Sequence, residues 1–172
     1  MRELYFAGGC FWGLERFFGL VDGVLDHEVG YANGPTDTIG YEQVCEGSGH
    51  TETVRVIFDD RIISAKGLIT LFFSVIDPFS LNRQGNDRGI QYRTGIYGEN
   101  IQDVEEIQGI VSEITRGFSK PCMVEVGLLR NYCKGEEYHQ EYLLKHPSGY
   151  CHINQQDFER AKTYREQKKD LP

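Results

Sequence analysis

ELYFAGGCFWGLERFF, residues 3–18, is the stretch from which the architecture of this chain can be worked out. Its first five residues are mostly apolar, as in a buried strand, and from Phe11 onwards apolar side chains recur at helical spacing. Gly8 and Gly9 allow a sharp turn between the two elements. Cys10 is therefore predicted at the start of a helix, where backbone N–H groups and the positive end of the helix dipole favour a thiolate. We expect the pKa of this thiol to be lowered.

Size and composition restrict what the chain can be. It has 172 residues, of which 40% are hydrophobic, enough for the core of one domain. The net charge of −8 argues against a nucleic-acid or anionic-membrane partner, and no apolar stretch is long enough to cross a membrane. The five cysteines are widely spaced and no secretory signal precedes the first predicted strand. We therefore expect a cytoplasmic protein with mostly reduced thiols. We also expect it to be a monomer.

The hydrophobic pattern predicts an α+β fold. Up to Tyr97 the elements follow the order strand, helix, strand, strand, helix, strand, which is that of a ferredoxin-like two-layer sandwich with helices packed on a mainly antiparallel sheet. Ser64 and Asn100 are the predicted N-caps of the second and third helices. The predicted strands are residues 3–7, 24–31, 51–58, 91–97 and 122–129, and the predicted helices are residues 11–18, 65–76, 101–114, 136–145 and 155–169.

The domain organisation predicted from this pattern is simple. Residues 1–150 form a catalytic domain, and residues 151–172 form an extended, polar C-terminal tail. Residues 32–49 are rich in Gly, Pro, Asn, Thr and Asp, and they predict a long loop. A loop of this length in a compact domain usually has a functional reason.

Glu52 is the second residue whose position suggests chemistry. In the predicted strand 51–58 it shares a face with Val54, Val56 and Phe58, because side chains of a strand alternate between faces. A carboxyl on an apolar face is desolvated, so its pKa should rise and it could serve as a general acid at neutral pH. The alternative is that Glu52, at the end of the strand, simply reaches solvent.

Other polar and aromatic residues are weaker candidates. Phe11 and Trp12, which follow Cys10, would form an aromatic floor beside the sulfur. Tyr41 and Tyr92 could donate hydrogen bonds to a ligand, although tyrosines in general are more often ordinary core or surface residues. Asp87 lies in a polar loop and could either shape the turn or contribute to a site.

Two further cysteines could form a transient disulfide with a reactive Cys10. Cys151 lies in a polar segment after the helix predicted over residues 136–145, and Cys133 lies in a similar setting. His139, His146 and His152 are near Cys151 in sequence, but none of these residues shows the paired spacing of structural zinc sites. No metal is therefore predicted.

The chain resembles the peptide methionine sulfoxide reductase A family. Gly9-Cys10-Phe11-Trp12-Gly13 looks like the active-site signature of that family, and the similarity extends over roughly residues 4–152. Further similar segments are Gly30-Tyr31, Tyr41-Glu42-Gln43-Val44-Cys45, Gly49-His50-Thr51-Glu52, residues 82–87, residues 89–93, Tyr138-His139-Gln140 and Gly149-Tyr150-Cys151. So many matches in one order are far more specific than a single motif.

The resemblance implies a reductase for the S epimer of methionine sulfoxide, free or in oxidised proteins, with thioredoxin as the reductant and no cofactor. It also implies the role of each candidate residue. Cys10 is the nucleophile, Glu52 the acid, and Cys151 the resolving cysteine. Tyr41 and Tyr92 are catalytic residues that direct their hydroxyl groups at the sulfoxide oxygen, and Asp87 helps to orient the site and the substrate. Phe11 and Trp12 form the pocket for the S-methyl group. The alternatives from the residues themselves are a thiol peroxidase, which would use the same sulfenic acid, and a redox-sensing module.

Overall fold

The computed structural model of the chain describes residues 1–167. In chain order its elements are β1 (Arg2–Ala7), α1 (Phe11–Gly19), β2 (Val24–Ala32), α2 (Tyr41–Cys45), β3 (Thr51–Phe58), α3 (Ala65–Phe73), β4 (Arg83–Gln84), β5 (Asp87–Arg88), β6 (Gly95–Gly98), α4 (Ile101–Thr115), β7 (Glu125–Leu128), β8 (Cys133–Lys134), α5 (Tyr142–Lys145) and α6 (Gln155–Thr163). Short 3₁₀ turns precede β6 and α5.

A mixed, mainly antiparallel sheet forms the centre of the molecule. Its strand order is β7-β6-β1-β3-β2-β8, and every pair is antiparallel except β6 with β7. β1 lies between β3 and β6, with Leu4 opposite Val56 and Phe6 opposite Val54. Helices pack on this sheet, so the predicted α+β class is confirmed.

The core forms where the apolar faces of β1, β3, α1 and α3 meet. Leu14, Phe17 and Phe18 of α1 are fully buried, as helical spacing of apolar residues predicted. Ser64 Oγ accepts a hydrogen bond from Gly67 N (3.0 Å), and Asn100 Oδ1 accepts one from Asp103 N (2.9 Å). Both predicted N-caps are therefore present, and they fix where α3 and α4 begin.

Several predicted boundaries differ from the structure. The strand predicted over 91–97 is only Gly95–Gly98, because residues 90–92 form a 3₁₀ turn. The long loop contains α2. The helix predicted over 136–145 is interrupted at Glu141, which has a left-handed φ of 52° and whose N–H donates to the buried Glu15 carboxylate.

The C-terminal segment packs on the core within the described residues. Ile153 is 5% exposed, and Ala161 of α6 is fully buried. α6 ends at Thr163, whereas the predicted helix continued to residue 169; its last two residues lie outside the described part of the chain. Among residues 1–167, the helices are all too short or too polar to cross a membrane.

Candidate active site

Cys10 lies between β1 and α1, as predicted. It is the N-cap residue of α1, and only 8% of it is exposed. The preceding Gly9 has a φ of +81°, and a Cβ there would lie 2.7 Å from the Cβ of Gln84. Glycine is therefore required at this turn both by conformation and by space. The Trp12 backbone N–H, in the first turn of α1, donates to the cysteine sulfur.

The expected lowering of the Cys10 pKa is wrong. Burial raises the pKa of the thiol well above its ordinary value, and the neighbouring Glu52 carboxyl raises it further. The Trp12 N–H at the helix N-terminus acts in the predicted direction, but its effect is smaller. The thiol therefore keeps its proton at neutral pH in this unliganded site, because desolvation of a thiolate outweighs the helix N-terminus.

Glu52 lies on the buried face of β3, as its alternation with Val54 and Val56 predicted. It is 2% exposed, and its Oε1 accepts a hydrogen bond from the Phe11 backbone N–H at 3.1 Å. Burial raises its pKa to about 8, opposed by the Phe11 N–H and assisted by the nearby Asp87. At neutral pH this carboxyl is mostly protonated, so it can donate a proton.

Trp12, part of the aromatic floor, is positioned by His139 and Tyr142, which lie far along the chain. The Trp12 ring stacks on Tyr142 with centroids 3.8 Å apart and an interplanar angle of 11°. Its Nε1–H donates to His139 Nδ1 at 3.0 Å. Because an indole nitrogen only donates and burial lowers the pKa of His139, this histidine is neutral with its proton on Nε2. The sequence analysis assigned no such role to His139 or Tyr142.

A cavity of about 240 Å³ brings these groups together. Its lining is Cys10, Phe11, Trp12, Tyr41, Glu52, Asp87, Tyr92 and Tyr150. Burial raises the pKa of Tyr41 and of Tyr92, so both phenols remain protonated donors. A thiol, a protonated carboxyl and hydroxyl donors thus face one small space beside two aromatic rings. Such a set can protonate an oxygen atom and attack the atom to which it is bonded.

Comparisons with known proteins agree with this geometry. The family described as "Peptide methionine sulfoxide reductase" matches residues 2–171. The chain belongs to this family. One curated relative is the peptide methionine sulfoxide reductase MsrA of Lachnoclostridium phytofermentans, which is 49% identical over 94% of this chain and 98% of its own length.

Two solved structures of reductases have the same fold. Mxr1 from Saccharomyces cerevisiae in reduced form is 33% identical, with a TM-score of 0.82 over 87% of this chain and 88% of that one. Methionine sulfoxide reductase A of Corynebacterium diphtheriae is 32% identical, with a TM-score of 0.83 over 87% and 77% of the two chains. The family assignment is therefore supported by both sequence and backbone geometry.

In this reductase the loop over residues 32–49 presents Tyr41 to the cavity. The fully buried His50 fastens the loop: Nδ1 lies 3.0 Å from Ser48 Oγ, and Nε2 lies 2.6 Å from the Thr36 carbonyl oxygen. The imidazole fills the space next to Gly34, where a Cβ would lie 2.1 Å from it. His50 also lies directly before Thr51 and Glu52 in the chain. The same residue therefore positions both the loop and the Glu52 carboxyl.

Tyr150 is a member of the reductase cavity that the sequence analysis did not assign. Its hydroxyl donates to Asp87 Oδ2 at 3.0 Å, and it joins the C-terminal segment to the loop around β5. Burial and Asp87 raise the pKa of Tyr150 to about 12. The only signal in the sequence was its position next to Cys151.

Cys151 lies beside α1, whereas Cys133 lies on the edge strand β8. The Cys151 sulfur is 2.8 Å from where a Gly13 Cβ would be, one helical turn from Cys10, and it is close enough to raise the pKa of Cys10. Cys133 pairs with Tyr31 in the sheet, and its sulfur contacts the Ile39 carbonyl oxygen. The structure thus brings Cys151, and not Cys133, to the turn that carries Cys10.

Proposed function

We propose that this chain reduces the S epimer of methionine sulfoxide, free or in oxidised proteins, to methionine. The observation that carries the proposal is that Cys10 and the protonated, buried Glu52 face one cavity of about 240 Å³. Phe11 and Trp12 supply an apolar wall for the S-methyl group. An apolar pocket with a few convergent polar groups is the usual form of a small-molecule site.

Protonation makes the sulfoxide oxygen a better leaving group. Glu52 gives its proton to this oxygen, while Tyr41 and Tyr92 donate hydrogen bonds to it. Asp87, whose carboxylate accepts from Tyr150, orients the substrate. Preorganised donors of this kind stabilise the charge that develops on the oxygen.

Cys10 then attacks the sulfur. The thiol proton passes to the Glu52 carboxylate that has just been formed, so a proton moves in two steps from the thiol to the oxygen. The attack forms a bond between the Cys10 sulfur and the substrate sulfur. The protonated oxygen then moves to the Cys10 sulfur as the sulfur–oxygen and sulfur–sulfur bonds of the substrate break, so Cys10 becomes a sulfenic acid and methionine leaves with the electron pair. Delaying thiol deprotonation until substrate is bound agrees with the raised pKa of the unliganded Cys10.

The sulfenic acid is resolved by Cys151. The Cys151 thiol attacks the oxidised sulfur, a disulfide forms, and water is released. The position of Cys151 over Gly13 supports this assignment over Cys133. Thioredoxin, the reductant that the family resemblance implies, restores both thiols. All electrons come from thiols, so the proposed cycle needs no metal or organic cofactor.

The fold, the domain division, the location and the oligomeric state of the protein are also part of the proposal. The order β6-β1-β3-β2 supports the ferredoxin-like description. We assign the catalytic domain to residues 1–150 and regard residues 151–172 as the tail that carries the resolving cysteine. The five unpaired cysteines support a cytoplasmic location, and we propose that the protein acts as a monomer.

The proposal is tested by supplying the purified protein with S and R epimers of a methyl sulfoxide, thioredoxin and its reducing system. We expect methionine from the S epimer alone, none with Cys10→Ser, and a loss of about 100- to 10,000-fold with Glu52→Gln. Hydrogen peroxide in place of the sulfoxide tests the thiol peroxidase alternative. Faster consumption of peroxide than of sulfoxide, or normal turnover by Cys10→Ser, would overturn the assignment.

A further inference from the structure

A second cavity, of about 230 Å³, lies beside Cys151. We name it the Cys151 groove. Its apolar walls include Leu20, Leu143 and Phe158, and Arg16, Lys162 and Cys151 also line it. At this size it is smaller than most sites for drug-sized ligands, which occupy about 300–1,000 Å³. It therefore suits a small molecule.

The Cys151 groove and the substrate cavity lie on different sides of the same backbone segment. Tyr150 lines the substrate cavity, while its neighbours Gly149 and Cys151 line the groove. Among residues 1–167, the two cavities have no lining residue in common. A molecule in the groove could therefore reach the Cys151 sulfur without entering the space where the sulfoxide binds.

The charge of the groove is opposite to that of the whole chain. The chain has a net charge of −8, but the described lining of the groove contains the cations Arg16 and Lys162 and no acidic residue. Lys162 is paired with Glu159 at 3.1 Å. Arg16 makes no hydrogen bond or ion pair with any of residues 1–167. A half-buried guanidinium that has no partner within this part of the chain, beside apolar walls, is suited to a carboxylate.

We propose that the Cys151 groove binds a small thiol that carries a carboxylate, and that this thiol reduces the disulfide between Cys10 and Cys151. The inference rests on the proposed function, since that disulfide is its substrate. The apolar walls contact the methylene groups of the thiol, and Arg16 holds its carboxylate. The sulfur is thereby directed at Cys151 from the side away from the sulfoxide pocket.

The exchange proceeds in two steps that balance. The thiolate of one small thiol attacks the Cys151 sulfur, the bond to Cys10 breaks, and Cys10 leaves as a thiolate that takes up a proton. A second thiolate attacks the small-molecule sulfur of the mixed disulfide. Cys151 is released as a thiol, and the two small thiols leave as their disulfide, having supplied two electrons and two protons.

The test begins with enzyme converted to its disulfide form by one equivalent of sulfoxide, with the bond mapped by mass spectrometry. Its reduction is timed with 3-mercaptopropionate, 2-mercaptoethanol and cysteamine, at matched thiolate concentrations. The test variant is Arg16→Glu with Lys162→Glu. The control is Lys120→Glu with Arg130→Glu, which makes the same change in net charge at exposed positions outside both cavities.

Relative to their rates with a free model disulfide at the same thiolate concentration, the anionic thiol should react fastest with the wild type and the cationic thiol slowest. The test variant should lose about tenfold in rate with 3-mercaptopropionate and gain with cysteamine, while the control changes little. Methionine release in the first turnover should be unchanged in both variants. High salt should remove the preference of the wild type.

Three outcomes would overturn the proposal. Equal rates with the three thiols, or equal losses in test and control variants, would show that the groove selects no anion. With thioredoxin timed as a fourth reductant, a loss of rate in the test variant that is confined to thioredoxin would assign the groove to a protein reductant. Failure to form the Cys10–Cys151 disulfide, despite normal methionine release, would remove Cys151 from the proposed function as well, whereas the first two outcomes leave that function intact.

Discussion

At the scale of single residues, the site depends on two acids that hold their protons. Burial raises the pKa of both Cys10 and Glu52, so neither residue adds a charge to the unliganded cavity at neutral pH. An uncharged cavity costs less free energy to bury than one containing a thiolate and a carboxylate side by side. The charges needed for catalysis then form only where the sulfoxide can use them.

Glu52 should therefore make the stability of the protein depend on pH. Its folded-state pKa of about 8 is above its ordinary value of 4.5. The contribution of the Glu52 proton to the stability of the folded protein is complete below pH 4.5. It is lost as the pH rises towards 8, because the native chain then holds a proton that the unfolded chain releases. Glu52→Gln stays neutral, so its Tm should rise relative to the wild type across this interval.

The matched control for that measurement is Glu46→Gln at an exposed position of the loop before β3. Its Tm difference from the wild type, measured over the same pH range, is the baseline for the Glu52→Gln difference. A Glu52→Gln difference that does not change between pH 4.5 and 8 would mean that Glu52 is ionised in the folded protein.

Cys151 and Cys133 are distinguished by counting product. Cys151→Ser should release about one methionine per enzyme and then stop with thioredoxin, because the sulfenic acid has lost the thiol that lies beside α1. Cys133→Ser should turn over like the wild type. Product is counted by chromatography after rapid mixing with excess sulfoxide, and the reverse pattern would make Cys133 the resolving residue.

At the scale of the elements, α1 connects the two sulfurs. Cys10 begins the helix, and Gly13, one turn later, leaves the space into which the Cys151 side chain fits. The same helix carries Trp12 on the face towards Tyr142 and Glu15 on the face towards Glu141. One short helix thus positions the nucleophile, the aromatic floor and the resolving thiol.

Gly13→Ala should slow resolution without affecting the first chemical step. The added Cβ would lie 2.8 Å from the Cys151 sulfur, which must move away. We expect normal release of the first methionine and slower formation of the disulfide. The rate of disulfide formation is measured by trapping the remaining free thiols at successive times. Gly109→Ala in α4 is the matched control, because its Cβ would meet nothing within 4 Å. Equal disulfide rates in both variants would contradict the packing argument.

The elements show which features a sequence can and cannot predict. The caps at Ser64 and Asn100 were predicted correctly because each depends on residues three positions away. The interruption at Glu141 was missed because its N–H binds Glu15, 126 positions earlier. The Cys10 pKa was predicted wrongly for the same reason: the helix N-terminus is visible in the sequence, but the burial that outweighs it arises from the packed fold.

At the scale of the whole molecule, the C-terminal segment packs against the core that the earlier part of the chain forms. Ile153 and Ala161 join the core formed by α1 and the sheet, and Glu166 accepts a hydrogen bond from the Ser64 N–H at 2.7 Å. The polar composition of residues 151–172 predicts an extended tail, whereas within residues 151–167 a few apolar side chains pack on the core. The segment is fixed in place by these few contacts.

Ile153→Ala should accordingly destabilise the protein as a core substitution does. We expect the free energy of unfolding to fall by about 2–4 kcal/mol, measured by urea denaturation. The control is Ile101→Ala, at a position that is 53% exposed, where a loss of less than about 1 kcal/mol is expected. Similar small losses at both positions would show that the C-terminal segment is not part of the cooperative unit.

The stacking of Trp12 on Tyr142 has a practical consequence. Trp12 is the only tryptophan of the chain, and it lines the same cavity as Cys10. All indole fluorescence of this protein therefore originates next to the reacting sulfur. A molecule that enters the cavity will quench or shift this emission. Substrate entry, sulfenic acid formation and the arrival of Cys151 can each be followed by stopped-flow emission in the natural protein, with no dye attached.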